Sequence, residues 1–372
     1  MTIASNQTVH WPSDATRLSV HDVTPGTWRM PAEWERHDAT WIAWPHHEPD
    51  WPGKIEAVHW VYAEIARVLA AYEPVHILCH NEIVRDRAIE ALRAHDVALE
   101  RVTLHVVATD RVWLRDSGPS FVWNASGNVE IMAWAFNAWA KYDNYTRDQH
   151  VPDIIHTLTH RPIHHPTRPD APDTRLVLEG GGIDVNGAGR ILVTEEWLLS
   201  DIQVRNPGLA RVDYELAFAA YLGCHDTIWL GNGCAGDDTH GHVDDIARFA
   251  DRDTVVLAYE DDPTDDNHAS SVDNVHRLQL ASARTPLRVV KLPYPRPIIM
   301  DGMRLPASYA NFYIANGVVA VPTFNDPSDR VALNILADVF PNHRVIGIHA
   351  VDLVWGLGTL HCLTQQQPAA RT

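Results

Sequence analysis

Four residues with chemically useful side chains recur at nearly regular intervals along the chain. Asp116 and Glu179 lie 63 residues apart, His242 follows after another 63, and Cys362 comes 120 residues later, close to two further intervals. A cysteine thiol, a histidine imidazole and carboxylates are groups that can act as nucleophile, acid/base or ligand. Regular spacing is typical of repeated structural units. We therefore expect the four side chains to occupy equivalent positions of successive units and to face one axial site.

Glycine-containing turns follow the two carboxylates. Asp116 lies just before a Gly-Pro turn, and Glu179 is followed directly by the three glycines Gly180–Gly182. These glycines do not indicate a dinucleotide-binding loop, because a hairpin and not a helix is expected after them. Both carboxylates are therefore expected where a turn meets a strand.

The segment His240–Asp245, with the sequence HGHVDD, is the densest cluster of titratable residues. Alternation along a strand would place His242 and Asp244 on one face. Nitrogen and oxygen donors of this kind also suit zinc, so a metal-dependent hydrolase is an alternative function. Cys362 is expected in another short strand near the end of the chain.

Hairpins and helices alternate along most of the sequence. Four pairs of strand-like segments flank turns near residues 127, 187, 252 and 317, and helical patterns lie at Asp213–Leu222, Asp273–Ala283 and Arg330–Val339. Five units of a hairpin, a helix and a further strand would fill the chain and form a closed α/β ring with a central channel. A doubly wound α/β sheet is the competing fold.

The part before the first hairpin reads as mixed α/β structure. Its patterns predict a helix from Ile55 to Tyr72, a strand at Val75–Cys79, a helix capped by Asn81 and ending near His95, and a strand at Val102–Ala108.

Composition favours one large domain. Hydrophobic residues make up 45% of the 372 residues, and no linker rich in Ser, Gly or Pro divides the chain. We expect an N-terminal extension at residues 1–28 and a single catalytic domain at residues 29–372. No apolar run approaches the ~18–20 residues of a membrane span, and the N-terminus does not resemble a signal peptide. A cytoplasmic protein is therefore expected.

The net charge of the chain indicates which kinds of binding partner are favoured. With 30 basic and 48 acidic residues the formal net charge is −18, which disfavours nucleic acid and anionic membranes and favours cationic ligands. The four cysteines form neither a CxxC pair nor a secreted disulfide framework. We expect a small cationic ligand, no nucleic-acid or membrane partner, and a homo-oligomer as an open option.

Seven segments together resemble the agmatine deiminase family of the guanidino-group-modifying superfamily, to which bacterial-type peptidylarginine deiminase is related. They are Met30–Trp34 (MPAEW), Trp41–Pro45 (WIAWP), Trp113–Pro119 (WLRDSGP), Glu179–Gly181 (EGG), Gly241–Asp244 (GHVD), Ala307–Tyr313 (ASYANFY) and His361–Gln366 (HCLTQQ). The match spans Met30 to Pro368. It implies a five-fold pseudo-symmetric α/β propeller, the pentein fold.

The resemblance also implies roles for individual residues. Cys362 would be the nucleophile, His242 the acid/base, and Glu179 the residue that orients His242. The reaction would convert agmatine to N-carbamoylputrescine and ammonia through a thiouronium on Cys362, with no metal or cofactor.

Asp116 and Asp244 would bind the substrate guanidinium, and Trp113 would lie beside it. A guanidinium is a planar group of donors with a pKa above ~12, so two carboxylates along its edges can hold it by charge-assisted hydrogen bonds. The Trp-rich segments Trp41–Trp44 and Trp134–Trp139 could form walls around a cationic chain.

Two segments differ from the pattern usual in agmatine deiminases. Residues 140–145 read AKYDNY, where a Gly-Gly usually follows Trp139, and Asn232–Asp238 is also distinctive. Both are expected to line the distal end of the substrate. Another small guanidine, or a peptidyl-arginine, is therefore an alternative substrate.

A non-catalytic binding protein of the same architecture is the alternative from a different class, as the ribosome anti-association factors of the superfamily illustrate. Such a protein would need neither a nucleophile nor its base, and a net charge of −18 disfavours a ribosomal partner. Release of ammonia would distinguish an enzyme from a binding protein.

Overall fold

The structure is a computed structural model that describes residues 17–371. Five of its sheets share one arrangement, in which an antiparallel pair of strands is joined through a helix to a third strand parallel to one of the pair. Within the described range no sheet closes on itself. None of the helices in this range is long and apolar enough to cross a membrane.

The strands are as follows, sheet by sheet. The first sheet contains Gln365–Pro368, His37–Ala43, Val75–Cys79 and Val102–Val106. The second contains Ser120–Asn124, Val129–Met132 and Ile163–Arg168, with Arg17–Leu18, Trp28–Arg29 and Ala171–Arg175 added to it. The third contains Asp184–Val185, Arg190–Thr194 and Asp226–Leu230, and the fourth Ala247–Phe249, Thr254–Tyr259 and Arg288–Pro293. The fifth contains Tyr313–Ala315, Val318–Thr323 and Arg344–His349, and a separate pair is Ile299–Met300 with Met303–Arg304.

The α-helices are Ile55–Ala70, Glu82–Ala94, Leu114–Ser117, Val151–Thr159, Glu195–Leu199, Arg211–Ala217, Asp266–Arg284, Ser328–Val339 and Leu360–Leu363. Single turns of 3-10 helix occur at Val20–Asp22, Glu48–Asp50, Leu99–Arg101, Ala138–Ala140, Asp148–His150, Gly180–Gly182, Val243–Asp245 and Val354–Gly356, and a π-helical turn at Phe218–Leu222.

Apolar spacing and capping explain the first two helices. Val58, Val61 and Ile65 recur every three or four residues, so one face of Ile55–Ala70 is apolar and buried. The second helix begins after Asn81, whose side-chain oxygen accepts a hydrogen bond from the Val84 N–H at 2.9 Å.

The four predicted hairpins are confirmed, because each pair of segments forms an antiparallel ladder. The helix predicted at Asp213–Leu222 is an α-helix at Arg211–Ala217 that continues as the π-helical turn Phe218–Leu222. The alternative prediction of a doubly wound α/β sheet is wrong, because each of the five repeated sheets contains an antiparallel pair of strands.

The strand predicted for His242 and Asp244 is wrong. Val243–Asp245 forms a turn of 3-10 helix, and the adjoining strand begins only at Ala247. Asp237 Oδ2 accepts hydrogen bonds from the N–H groups of Gly241 (2.8 Å) and His242 (3.0 Å). The Asp237 carboxylate thus accepts hydrogen bonds from backbone N–H groups that would pair with a neighbouring strand in a sheet.

The strand predicted for Cys362 is also wrong, because Cys362 lies in the short helix Leu360–Leu363 and the strand begins at Gln365. Asn311 Oδ1 accepts a hydrogen bond from the His361 N–H at 3.0 Å, and the helix ends with Thr364 N–H donating to the His361 carbonyl. The nucleophile candidate therefore lies on a tight turn.

The predicted N-terminal extension is only partly within the described residues, since Met1–Thr16 lie outside them. Arg17–Leu18 pairs in parallel with the strand Ile163–Arg168, and Trp28–Arg29 pairs antiparallel with Ser120–Asn124. The described part of this segment thus extends the second sheet, while the domain boundary at residue 28 stays a prediction.

Candidate active site

Each of the four regularly spaced residues lies on the segment that leads into the first strand of a sheet. Asp116, Glu179, His242 and Cys362 come three to five residues before such a strand. Asn311 has the corresponding position in the fifth sheet, two residues before Tyr313–Ala315. Contacts among these segments bring the five side chains and Asp244 together.

His242 lies between two carboxylates in a buried environment. Its Nε2 is 3.4 Å from Glu179 Oε2, and its Nδ1 is 3.7 Å from Asp116 Oδ1. Burial lowers the pKa of His242, but the negative charges of Asp116 and Glu179 outweigh burial and raise the pKa to about 9. His242 is therefore an imidazolium at neutral pH and can donate a proton.

Glu179 is fully buried and held by two donors. Trp197 Nε1 donates to its Oε2 at 2.6 Å, and Arg205 Nε donates to its Oε1 at 3.1 Å. Burial raises the pKa of Glu179, but the charges of Arg205 and His242 lower it to about 2. A permanently charged carboxylate thus faces His242, which fits an orienting group.

Asp116 accepts a hydrogen bond at each oxygen, from the Gly181 N–H at 3.0 Å and from Trp139 Nε1 at 2.8 Å. Burial raises its pKa to about 6, the neighbouring carboxylates Asp244 and Glu179 add to the rise, and His242 opposes it. Trp139 lies in a segment with three consecutive positive φ angles, 49°, 59° and 53° at residues 138–140. Such strain in residues other than glycine is costly and typical of functional sites.

Asp244 has one oxygen in use and one unpaired. His361 bridges two carboxylates, with Nδ1 hydrogen-bonded to Asp244 Oδ2 and Nε2 to Glu33 Oε2, each at 2.7 Å. Burial raises the pKa of Asp244, but the hydrogen bond and charge of His361 outweigh it and lower the pKa. Asp244 Oδ1 is buried and has no hydrogen-bond partner within residues 17–371. This ionised carboxylate can therefore accept a donor from a ligand.

Asn311 fixes the nucleophile candidate. Its Nδ2 donates to Cys362 Sγ at 3.1 Å and to Asp245 Oδ1 at 3.0 Å, while its Oδ1 accepts from Thr359 Oγ1 at 2.7 Å. Burial raises the pKa of the Cys362 thiol well above its ordinary value, and the charges of the nearby aspartates, Asp244 first, raise it further. A cation bound between the aspartates would oppose that rise.

Cys362 opens into a cavity of about 340 Å³. Asp116, Trp113 and Trp139 line the same cavity near the cysteine, and Trp355 with Leu357 contributes an apolar wall. Of the tryptophans predicted to form walls, Trp139 lines this cavity. Trp41 and Trp44 are fully buried in the core and do not line it.

The two sequence segments that differ from the family pattern meet at this cavity, in a part that we call its distal part. Tyr142 and Asp238 belong to these segments and line it together with Asp50 and Arg111. The Tyr142 hydroxyl donates to Asp238 Oδ2 at 2.7 Å. The end of the cavity that faces these groups is therefore charged and polar.

The donor set predicted for a metal is not assembled as expected. His240 Nε2 is 2.9 Å from Ser200 Oγ and lies near Glu196, away from Asp244. Within residues 17–371, the group of three or more His, Cys, Asp or Glu residues whose ligand atoms all lie within 4.8 Å of one another is Asp244, Asp245 and Cys362. Two carboxylates beside a thiol also suit a bound organic cation.

Known proteins are similar to this chain in both sequence and fold. A family model described as Porphyromonas-type peptidyl-arginine deiminase matches residues 29–368. The agmatine deiminase of Pseudomonas aeruginosa strain UCBPP-PA14 is 34% identical over 368 residues, which cover 92% of this chain and 96% of that protein. The chain belongs to the agmatine deiminase family. The agmatine deiminase of Pseudomonas fluorescens strain SBW25 is 35% identical, and the match covers 91% of this chain and 95% of that protein.

The structure of an agmatine deiminase from Enterococcus faecalis matches with a TM-score of 0.82 at 30% identity, over 92% of this chain and 96% of that one. This member of the family therefore has the α/β pentein fold, as the sequence motifs imply.

Sequence reasoning assigned no role to several residues that support the site in this family member. Glu33, Asn311 and His361 lie in the quoted motifs. Asn311 contacts Cys362, His361 links Asp244 to Glu33, and Arg205 and Trp197 hold Glu179. Asn311 could have been found, since it falls in the long interval between His242 and Cys362 at 69 and 51 residues from them. The others show no regular spacing.

We expect Gly181→Ala to lower kcat/KM at least ~100-fold, because a displacement of ~1 Å at a reacting group can cost that much. A Cβ at this position would lie 2.6 Å from His242 Nδ1 and 2.8 Å from Asp116 Oδ1. Steady-state kinetics would measure the loss. Gly208→Ala is the control for backbone strain away from the site, since its φ of +86° strains alanine while a Cβ there meets no described atom within 4 Å. Wild-type kinetics in Gly181→Ala would show that this close approach is not needed.

We expect Asp244→Asn to lower the thiol pKa of Cys362, because it removes the largest of the nearby charges that oppose the thiolate. Alkylation of Cys362 by iodoacetamide at pH 8 should therefore be faster than in the wild type. Mass spectrometry of the Cys362 peptide across pH would give the rate. The exposed substitution Asp338→Asn should leave it unchanged. An unchanged or slower rate in Asp244→Asn would contradict this account of the thiol.

Proposed function

We propose that this chain hydrolyses agmatine to N-carbamoylputrescine and ammonia through a covalent intermediate on Cys362. The observation that carries the proposal is that Cys362 and Asp116 line one cavity, with His242 3.7 Å from Asp116 and Asp244 3.7 Å from Cys362 Sγ directly behind them. The agmatine deiminase names of the relatives support this substrate class.

The two aspartates act as the guanidinium clamp. Asp244 Oδ1 is buried without a donor, and a guanidinium N–H supplies one. Asp116 is held in place by Gly181 and Trp139, so its remaining lone pairs have a fixed direction. Trp113, which lines the same cavity, packs beside the substrate. The clamp therefore fixes the plane of the guanidinium and the position of its central carbon.

The first half of the reaction forms the intermediate. The bound cation lowers the thiol pKa, Cys362 loses its proton to solvent, and Sγ attacks the guanidinium carbon. The adduct is electrically neutral. Imidazolium His242 then protonates one amino group, the C–N bond breaks, and ammonia leaves a thiouronium cation on Cys362.

The second half releases the product. His242, now neutral, takes a proton from a water molecule as the water oxygen bonds to the same carbon. The C–S bond then breaks, Cys362 leaves as a thiolate, and the carbonyl oxygen of the ureido product loses its extra proton to solvent. Glu179 keeps the imidazole oriented and stabilises its charged form in both halves.

We propose a five-fold pseudo-symmetric propeller and a single catalytic domain at residues 29–372 that follows an extension at residues 1–28. The shared arrangement of five sheets supports the propeller, and the contribution of all five to the site supports one domain. We also propose a cytoplasmic location, because all four cysteines are free. A homo-oligomer stays a prediction.

We expect Cys362→Ser to retain less than about a tenth of wild-type turnover of agmatine, because a serine hydroxyl is a far weaker nucleophile than a thiolate. Ammonia release and formation of the ureido product are the measurements. The melting temperature should change little, since serine nearly matches cysteine in size. EDTA should leave the wild type active, and a loss that zinc restores would favour the metal-hydrolase alternative.

We expect Asp116→Asn and Asp244→Asn to lower kcat/KM at least ~100-fold, because each leaves a buried cation with half of its charge compensation. Glu179→Gln should act mainly on kcat, and it should lower the pKa of His242 by removing a negative charge from its side. Kinetics of the three variants across pH would test this. Nearly wild-type kcat/KM in both aspartate variants would mean that the guanidinium binds elsewhere.

A further inference from the structure

The distal part of the active-site cavity contains a carboxylate that the proposed reaction does not use. Asp50 lines the cavity together with Cys362, and its side chain is only 5% exposed. Arg111 Nη1 donates to Asp50 Oδ1 at 2.7 Å, whereas Asp50 Oδ2 is buried and has no hydrogen-bond partner among the described residues. A buried carboxylate oxygen without a donor is unfavourable, and a ligand donor would relieve that cost.

The other distal carboxylate is already fully engaged. Asp238 accepts a hydrogen bond from the Tyr142 hydroxyl at one oxygen and from Lys141 Nζ at the other. The negative charge of Asp238 is therefore compensated by Lys141, which does not line the cavity. Asp50 is the distal carboxylate with an oxygen left for a ligand.

Arg111 is held in a fixed position beside Asp50. Its guanidinium lies over the Tyr142 ring at 4.1 Å, and Nη2 donates to Asn144 Oδ1 at 3.3 Å. Arg111 Nε has no partner, so a carboxylate is the competing occupant of this end. An anion would, however, lie near Asp50 and Asp238, in a cavity that also contains Asp116. Charge therefore favours an ammonium group.

We propose that Asp50 binds the distal ammonium of an aminoalkylguanidine and selects dications over neutral alkylguanidines. This inference rests on the proposed function, since it requires the guanidinium to lie between Asp116 and Asp244. The alkyl chain then runs along the apolar wall that includes Trp355 and Leu357. Arg111 is a positioning residue that holds Asp50 through one oxygen and leaves the other for the ligand.

The test compares three substrates that differ only at the distal end: agmatine, butylguanidine without the amine, and 4-guanidinobutyrate with a carboxylate. The wild type should prefer agmatine over butylguanidine at least ~10-fold in kcat/KM. Asp50→Asn should lose that preference through a higher KM for agmatine, while butylguanidine turnover stays within about threefold. Retained butylguanidine turnover would also show that the variant is folded.

Glu48→Gln is the matched control, because Glu48 lies in the same helical turn as Asp50 and does not line the cavity. It should leave all three substrates unchanged. Equal loss of agmatine and butylguanidine in Asp50→Asn would overturn the proposal in favour of a structural role. Preference of the wild type for 4-guanidinobutyrate would overturn it in favour of carboxylate binding by Arg111.

Binding to Cys362→Ser separates this inference from the proposed reaction. Calorimetry should give at least ~10-fold tighter binding of agmatine than of butylguanidine, and Asp50→Asn in the same background should remove the difference. If the wild type releases no ammonia from any guanidine, the proposed function fails while the binding ratio still tests Asp50. Equal affinities for the two ligands would overturn the role of Asp50.

Discussion

Concentration of buried negative charge around one cavity is the constraint on which the rest of this structure depends. Burial of an ionised carboxylate costs several kcal/mol unless donors or cations compensate it, with ~20 kcal/mol as the idealised limit. Arg205, His242 and His361 supply much of that compensation. They still leave Asp244 Oδ1 unpaired and the thiol of Cys362 difficult to ionise. The carboxylates concerned are those of Asp116, Glu179 and Asp244. Such a site is electrostatically incomplete until a cation binds, which links substrate binding to activation of the nucleophile.

Tight turns make this concentration of charge geometrically feasible. The reactive groups lie on short segments before strands, where backbone N–H groups are free to bind side chains instead of a neighbouring strand. Gly181 donates to Asp116, Asp237 accepts from the backbone before His242, and Asn311 accepts from the backbone around Cys362. The sheets behind these turns provide rigid supports, so each side chain is held by its own segment and by a neighbour from another sheet. Strain at Trp139 is one cost of this arrangement.

Charge is distributed differently at the two ends of the cavity. Near Cys362 the carboxylates exceed the cations, whereas at the distal end Arg111 and Lys141 offset Asp50 and Asp238. The reactive end therefore selects for a guanidinium by strong, general electrostatics, and the distal end distinguishes ligands through a single unpaired oxygen. This separation lets substrate preference change through residues 140–145 and the loop around Asp238 without altering the groups that carry out the chemistry.

The repeated structural units could be predicted from the sequence, because hairpin turns and reactive residues recur at similar intervals. Local turn chemistry produces the same arrangement in each unit. The hairpins followed from turn residues between strand-like segments, and the convergence of Asp116, Glu179, His242 and Cys362 followed from their spacing. The local conformation at His242 and Cys362 did not, since Asp237 and Asn311 compete with the sheet for backbone groups. The bridge from Asp244 through His361 to Glu33, and the pair of Asp50 with Arg111, were decided only by the tertiary structure. Residue spacing does not define these contacts, because their geometry depends on how separate sheets pack against one another.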